Sequence, residues 1–345
     1  MASASSSTAV FNTISLVDSM QLLNDALDLL NKADIIAVDG EGYDLGRDGT
    51  LDILSVATKD RNVYLFDIAT MGKQVFDAGL KKLLENKSVK KLMFDCRNDA
   101  DALKHLFGVM LDGVLDVQLM EVKHRQRETP SSTPPPRTSP QYWNYWTRNT
   151  PRLFGLKKCI STYLDSKDLV LSKERVVSKM DEDRKNNIWA VRPLEDTLKE
   201  YCAIDTCTLF SLHDILKEGQ VAMRLIECAS ARYVDYRRSY NTLPRDTYIS
   251  HHYLPRNILE IEQGNFRDCV GCKKPFPISE FSKNQLNKHT QVCIVCRAID
   301  ENMQTELNRV MNRLCRSNSY DFYEACDYYD GYHSDDEYNF DCGSD

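Results

Sequence analysis

The 345-residue sequence has no apolar run approaching the roughly 18 residues that a membrane-spanning helix requires. Its first Lys or Arg is Lys32, so the Ser/Ala-rich opening MASASSSTAV lacks the positive charge that secretory and mitochondrial leaders carry. These absences argue against a membrane protein or a targeted precursor. A soluble intracellular protein, nuclear or cytoplasmic, is expected, with residues 1–13 disordered. Lys and Arg are also missing from the last 26 residues, which hold nine Asp or Glu. The formal charge of −7 therefore belongs to the tail: residues 1–319 carry 44 basic against 42 acidic side chains, a balance that does not exclude nucleic acid as a partner. Eight of the 12 cysteines lack regular spacing, which fits a reducing compartment better than a disulfide framework.

What is present first is an alternation of strands and helices. Apolar positions at Leu22, Leu23, Ala26, Leu29 and Leu30 predict a helix over about 19–30. The continuous run Ile35, Ile36, Ala37, Val38 predicts a strand covered on both faces. GRDG at 46–49 is a turn signal, after which LDILSVA and NVYLF read as two strands joined by TKDR. A helix over about 75–85, a strand at KKLMF and a helix from near Arg97 follow, so the expected fold is α/β, a mixed sheet flanked by helices. Residues 124–151 are basic and then Pro/Ser/Thr-rich, and are expected to be an extended insertion. Helical patterns resume over 194–216 and 220–240.

The apolar run at 35–38 leads into Asp39 and Glu41, which a strand places on one face. Two carboxylates at about 4 Å repel by about 4 kcal/mol at an effective dielectric near 20, so a cation is needed between them. Further acids stand where a sheet could gather them. Asp95, Asp99 and Asp101 lie at a strand-to-helix junction, where capping explains Asp95 and Asp101. Tyr201 and Asp205, four apart, share one helix face. Cations from the chain could in principle neutralise the acids; those nearest in sequence are Arg47, Arg97 and Lys199.

Taken together, these motifs resemble the DEDD-type 3′-to-5′ exonucleases, in the ribonuclease D-like branch whose last motif contains Tyr. Asp39 and Glu41 match the first motif, Asp99 the second, Tyr201 and Asp205 the third. DGEGYDLGRDGTLDILSVAT is similar to the Egalitarian-related subgroup, and IWAVRPLEDTLKEYCAID to ribonuclease D, with Trp189 and Arg192-Pro193-Leu194 in matching places. The resemblance covers about residues 15–220. Phe94 departs from it, standing where many relatives carry His. It implies a ribonuclease H-like sheet over residues 14–220 and two Mg²⁺ or Mn²⁺ ions. Asp39, Glu41 and Asp205 would hold the ion carrying the attacking water, with Asp39 shared and Asp99 serving the second ion through water. Tyr201 would orient the attacking water. The implied substrate is single-stranded nucleic acid, RNA favoured over DNA, cut to nucleoside 5′-monophosphates. The competing expectation is a catalytically silent nuclease-fold adaptor that binds RNA or protein.

Downstream, residues 221–262 are expected to be a helical extension. Cys269, Cys272, Cys293 and Cys296 form two C-x-x-C pairs separated by 20 residues, the spacing of a structural Cys₄ zinc site, within a module over 263–302. His289 is expected to be an exposed helix residue rather than a ligand. A helical segment over 303–319 and a disordered acidic tail over 320–345 complete the chain. The zinc module and the tail are the candidate surfaces for a protein partner, and no membrane partner is expected.

Overall fold

Ile36, Ala37 and Val38 have no solvent exposure at all, because β2 (Ile35–Glu41) runs through the middle of a six-stranded sheet. The computed structural model describes residues 10–128, 152–182, 187–240, 248, 251–259 and 265–317. They fall into two units, the first taking the described residues up to 265 and the second those from 266 onward. Residues 129–151 of the insertion expected over 124–151, the tail at 320–345 and the opening nine residues lie outside the described residues.

In the first unit, β1 (Thr13–Val17), β2, β3 (Ile53–Thr58), β4 (Asn62–Asp67), β5 (Lys90–Met93) and β6 (Val114–Asp116) lie in the order β1-β4-β3-β2-β5-β6. The neighbours of β3 are antiparallel, while β1 pairs with β4, and β5 with β2 and β6, in parallel. The expected mixed sheet is present, with the β3–β4 meander turning at Thr58–Arg61. α1 (Met20–Leu30) begins at Ser19, which caps the amide of Leu22. Its buried stripe is Leu23, Ala26, Leu27 and Leu30, while Leu22 and Leu29, which belong to the apolar spacing that predicted the helix, are exposed at 44% and 53%.

Three further expectations are corrected. The helix predicted over 75–85 is broken at Gly79, whose φ of 141° belongs to glycine, leaving a π-turn at Phe76–Leu80 and a short helix at Lys81–Glu85. The strand β1 occupies residues assigned partly to disorder. The basic start of the predicted insertion is helical: α3 (Val117–Glu128) buries Val117, Leu119, Met120 and Val122, and an Arg125–Glu121 pair spans its next turn. Packing of its first half carries the helix through residues that composition alone reads as loop.

α2 (Arg97–Phe107) follows β5, α4 is Lys167–Glu182, and α5 (Asp196–Leu216) lies across β2 and β3, near the span predicted for it. α6 (Gln220–Arg238) packs on α2 and β6. Its C-terminal carbonyls are capped from outside: Arg47 donates to the carbonyls of Arg237 and Tyr240, and Lys104 to that of Arg238. Cations belong at a helix C-terminus, where the peptide dipoles end in unpaired carbonyl oxygens. Among the described residues no helix is long and apolar enough to cross a membrane.

In the second unit, β7 (Phe266–Asp268) and β8 (Pro275–Pro277) form a hairpin, followed by α7 (Lys283–Asn287) and α8 (Ile294–Ser317). α7 starts in a capping box between Ser282 and Gln285. α8 is continuous from the second C-x-x-C pair to Ser317, so the module and the helical segment expected after residue 302 are joined by one helix.

Candidate active site and cysteine cluster

Register places the first acids. β5 pairs with β2 only from Ile35 to Ala37, then turns into α2, so the last residues of β2 are open along that edge. On the other edge Asp39 stands opposite Ser55 of β3, and directly opposed residues share a face. The Ser55 hydroxyl lies 3.3 Å from the Cys202 carbonyl and 3.3 Å from the Thr206 hydroxyl, so that face looks onto α5. One helical turn then brings Asp205 to the strand. Ligand atoms of Asp39, Glu41 and Asp205 all lie within 4.8 Å of one another. Tyr201 sits a turn earlier on α5, its hydroxyl near enough to Asp205 to stabilise that carboxylate and its ring 6.0 Å from Trp189.

Asp99 arrives from the opposite direction. In the first turn of α2 its Oδ1 accepts the Gly40 amide at 2.9 Å, which fastens it to the residue between the two strand acids. A Cβ on Gly40 would stand 2.7 Å from that same oxygen, so the motif needs glycine here for Asp99 to reach the strand. Gly42 and Gly49 serve the turn that follows: a Cβ on either would run into backbone carbonyl oxygen of the facing arm, at 2.2 and 2.0 Å. Of the neighbouring acids, neither Asp95 nor Asp101 caps α2. Asp95 pairs with Arg97, and fully buried Asp101 takes Arg47 in a fork at 2.7 and 3.2 Å.

The gathered acids are electrostatically uncomfortable. Burial first, then Asp205, pushes the Asp39 carboxyl up to about 7, and Lys173 opposes the shift. Glu41 is held well above its ordinary value by burial and then by Asp39 and Asp205. Asp99 is raised by burial and by Asp39. Asp205 is raised by burial, against the pull of Lys173 and of the Tyr201 hydroxyl. Such a set of hard oxygen donors, short of positive charge, fits Mg²⁺ or Mn²⁺.

Lys173 was not among the cations that sequence proximity suggested. Arg47 is committed to Asp101, Arg97 to Asp95 and the face of Tyr233 at 4.6 Å, and Lys199 to Asp196. Lys173 instead comes from α4, is 5% exposed, bonds Asp205 Oδ1 and lies 4.1 Å over the Tyr201 ring. A signal for it exists in the sequence. Leu169, Val170 and Val176 mark the apolar face of a helical period, and Lys173 stands on that face where a hydrophobe is due.

In the second unit the four cysteines converge. Cys269 and Cys296 sulfurs are 3.8 Å apart, as are those of Cys272 and Cys293, and none of the four is in a disulfide. A disulfide would bring sulfurs to about 2.0 Å, whereas the edge of a tetrahedron with metal–sulfur bonds of about 2.3 Å is about 3.8 Å. Backbone amides of Cys293 and Cys296 donate to the sulfurs of Cys269 and Cys293 at 3.2 and 3.4 Å. Gly271 leaves room for this, since a Cβ there would lie 3.0 Å from the Cys296 sulfur.

A family model described as a 3′-5′ exonuclease matches residues 14–219. The piRNA biogenesis protein EXD1 of Mus musculus is 32% identical over 194 residues, and that of Bombyx mori 32% identical over 189. Those matches take in 54% and 51% of this chain but 30% and 53% of the two relatives, so the chain spans from under a third to about half of their length. Among solved structures, Trypanosoma brucei RNase D with GMP superposes at a TM-score of 0.58 with 21% identity, covering 77% of this chain and 83% of that one. The same enzyme with RNA U12 gives 0.56 at 23% identity, covering 80% and 88%. The fold is RNase D-like.

Proposed function

This chain belongs to the 3′-5′ exonuclease family, and on that premise we propose that it removes nucleotides from the 3′ ends of single-stranded RNA. The observation that carries the reading is the convergence of Asp39, Glu41 and Asp205 within 4.8 Å, with Asp99 fastened to Gly40 between them. Asp39, Glu41 and Asp205 would hold one divalent ion, and Asp99, with Asp39 shared, a second. Such ions, when bound, supply an activated water and charge stabilisation at the leaving 3′ oxygen. The chain's own part is positional. Tyr201 stands against Asp205, where its hydroxyl can orient a water toward the phosphate, and buried Trp189 backs its ring. The products would be nucleoside 5′-monophosphates. RNA is favoured over DNA because the mouse and silk-moth relatives are named for piRNA biogenesis.

The second unit is read as a structural zinc module, a closed four-sulfur shell with no open position for chemistry. One observation favours a second reading of the first unit, an adaptor that holds RNA without cutting: Lys173 already neutralises Asp205. A single assay separates the two. With 5′-labelled single-stranded RNA and DNA in Mg²⁺ or Mn²⁺, the exonuclease gives a ladder shortening from the 3′ end, and Asp39→Ala gives none. Retention of RNA without a ladder under either metal establishes the adaptor.

A further inference from the structure

Lys173 touches both residues of the third motif, the Asp205 carboxylate and the Tyr201 ring. These are the groups that must face the ion and the attacking water if the acids bind metal. The lysine is no surface residue folded down by chance. It lies on the inward side of α4 with Val176, itself 4% exposed, and α4 packs along α5. Ion pairs bind α4 on its outer side, Glu174 to Lys157 and Lys179 to Glu195. A buried ammonium is tolerated only when paired, and Asp205 is the partner it has. Its field also reaches Asp39 and Glu41, which it opposes in their tendency to stay protonated. One singly charged group therefore does, weakly, what a divalent ion would do for the same three acids.

An ammonium on Asp205 Oδ1 and a divalent ion on the same carboxylate repel each other where like charges are poorly screened. Each lowers the occupancy of the other. We propose that Lys173 is a tethered occupant of the water-side cation position, an autoinhibitory contact that a divalent ion must displace before the site is loaded. This rests on reading the carboxylates as a metal site. The site then has two states, one with Lys173 on Asp205 and one with metal on Asp205 and Lys173 withdrawn. Withdrawal breaks the Lys173–Asp205 bond that ties α4 to α5, which loosens α4. Apparent metal affinity is lowered by the fraction of molecules in the first state, so a pocket held by Lys173 about nine-tenths of the time binds metal about tenfold more weakly than it otherwise would.

The test uses Mn²⁺ alone, the full chain, and no substrate. Lys173→Met removes the charge and keeps an unbranched apolar chain. Calorimetric titration should show Mn²⁺ binding at least tenfold tighter in the variant, and in chelator the variant should melt lower than the unmodified protein, with Mn²⁺ erasing the difference. Hydrogen exchange on the unmodified protein gives an answer that needs no variant: Mn²⁺ should increase exchange in α4 while protecting β2 and α5. Unchanged or weaker Mn²⁺ binding by Lys173→Met, or α4 amides that Mn²⁺ leaves unchanged or protects, overturns the proposal while the metal site stands. If neither protein binds Mn²⁺, the metal reading falls and the proposal with it.

Discussion

Gly40 lets one substitution separate shape from charge. Replacing it with alanine removes no carboxylate, yet the new Cβ would stand 2.7 Å from Asp99 Oδ1 and 3.0 Å from a Leu51 methyl. Leu51 can turn aside. Asp99 cannot do so without loss, because its oxygen is held by the Gly40 amide at 2.9 Å. To reach an ordinary contact of about 3.4 Å the oxygen must retreat by about 0.7 Å, which lengthens the amide bond beyond useful range. Leaving a buried polar group unsatisfied costs about 1–3 kcal/mol. At about 2 kcal/mol, a unit of this size should melt about 4–8 °C lower. The activity should suffer more, since a displacement approaching 1 Å in a reacting constellation costs about 100-fold. The control is Gly219→Ala at the N-cap of α6: φ there is −62° and nothing beyond its chain neighbours lies within 4 Å of the added carbon, so only the N-cap preference opposes it, at about 1 kcal/mol. Melting curves and the RNA ladder assay on both variants are sufficient. A Gly40→Ala protein that melts and cuts like Gly219→Ala would refute the claim that this glycine exists to admit Asp99.

Three more outcomes are expected. Below about pH 7 the metal-free protein should gain stability as pH falls toward about 5, because Asp39, raised to about 7, and the raised Glu41 and Asp99 bind protons in the folded state before the unfolded chain does. That contribution is complete below the ordinary carboxylate range and is lost as pH rises through the raised values; saturating Mn²⁺ should flatten the slope, and a metal-free slope of opposite sign would contradict the site electrostatics. Arg47→Met strands fully buried Asp101 and should cost about 3–5 kcal/mol in urea unfolding, with Arg47→Met/Asp101→Leu recovering part of it. Cys272→Ser should abolish stoichiometric zinc, measured by elemental analysis, and melt the second unit's helices by circular dichroism while the RNA ladder persists.

The sheet was largely legible from the sequence because β2 to β5 are made of contiguous apolar runs bounded by turns. β1 and β6 were not. Each is short, five and three residues, and gains its strand character from neighbours that the local pattern does not show. The four acids and Tyr201 could be singled out because their residue types are rare in that combination, and the structure brings Asp39, Glu41 and Asp205 together with Asp99 beside them. Two determinants of the site escaped. The role of Gly40 depends on where α2 starts relative to β2, a tertiary fact. Lys173 sits in a stretch with no motif, and only its misfit with the helical period, a charge on the apolar side, could have marked it. Asp101 was misread for a related reason: helix starts favour Asp for capping, but its partner, Arg47, comes from a turn 54 residues away.

The acids at the tip of β2 also bear on what keeps them in the chain. They sit on the central strand, where substitution by neutral amides of the same shape would relieve burial and repulsion at once and leave the sheet sounder. Selection for foldability alone would therefore erode this pocket rather than preserve it. A lineage in which these two carboxylates bound nothing would drift downhill toward Asn and Gln at these positions. Asp39 and Glu41 are therefore a thermodynamic burden that the sheet itself does not require.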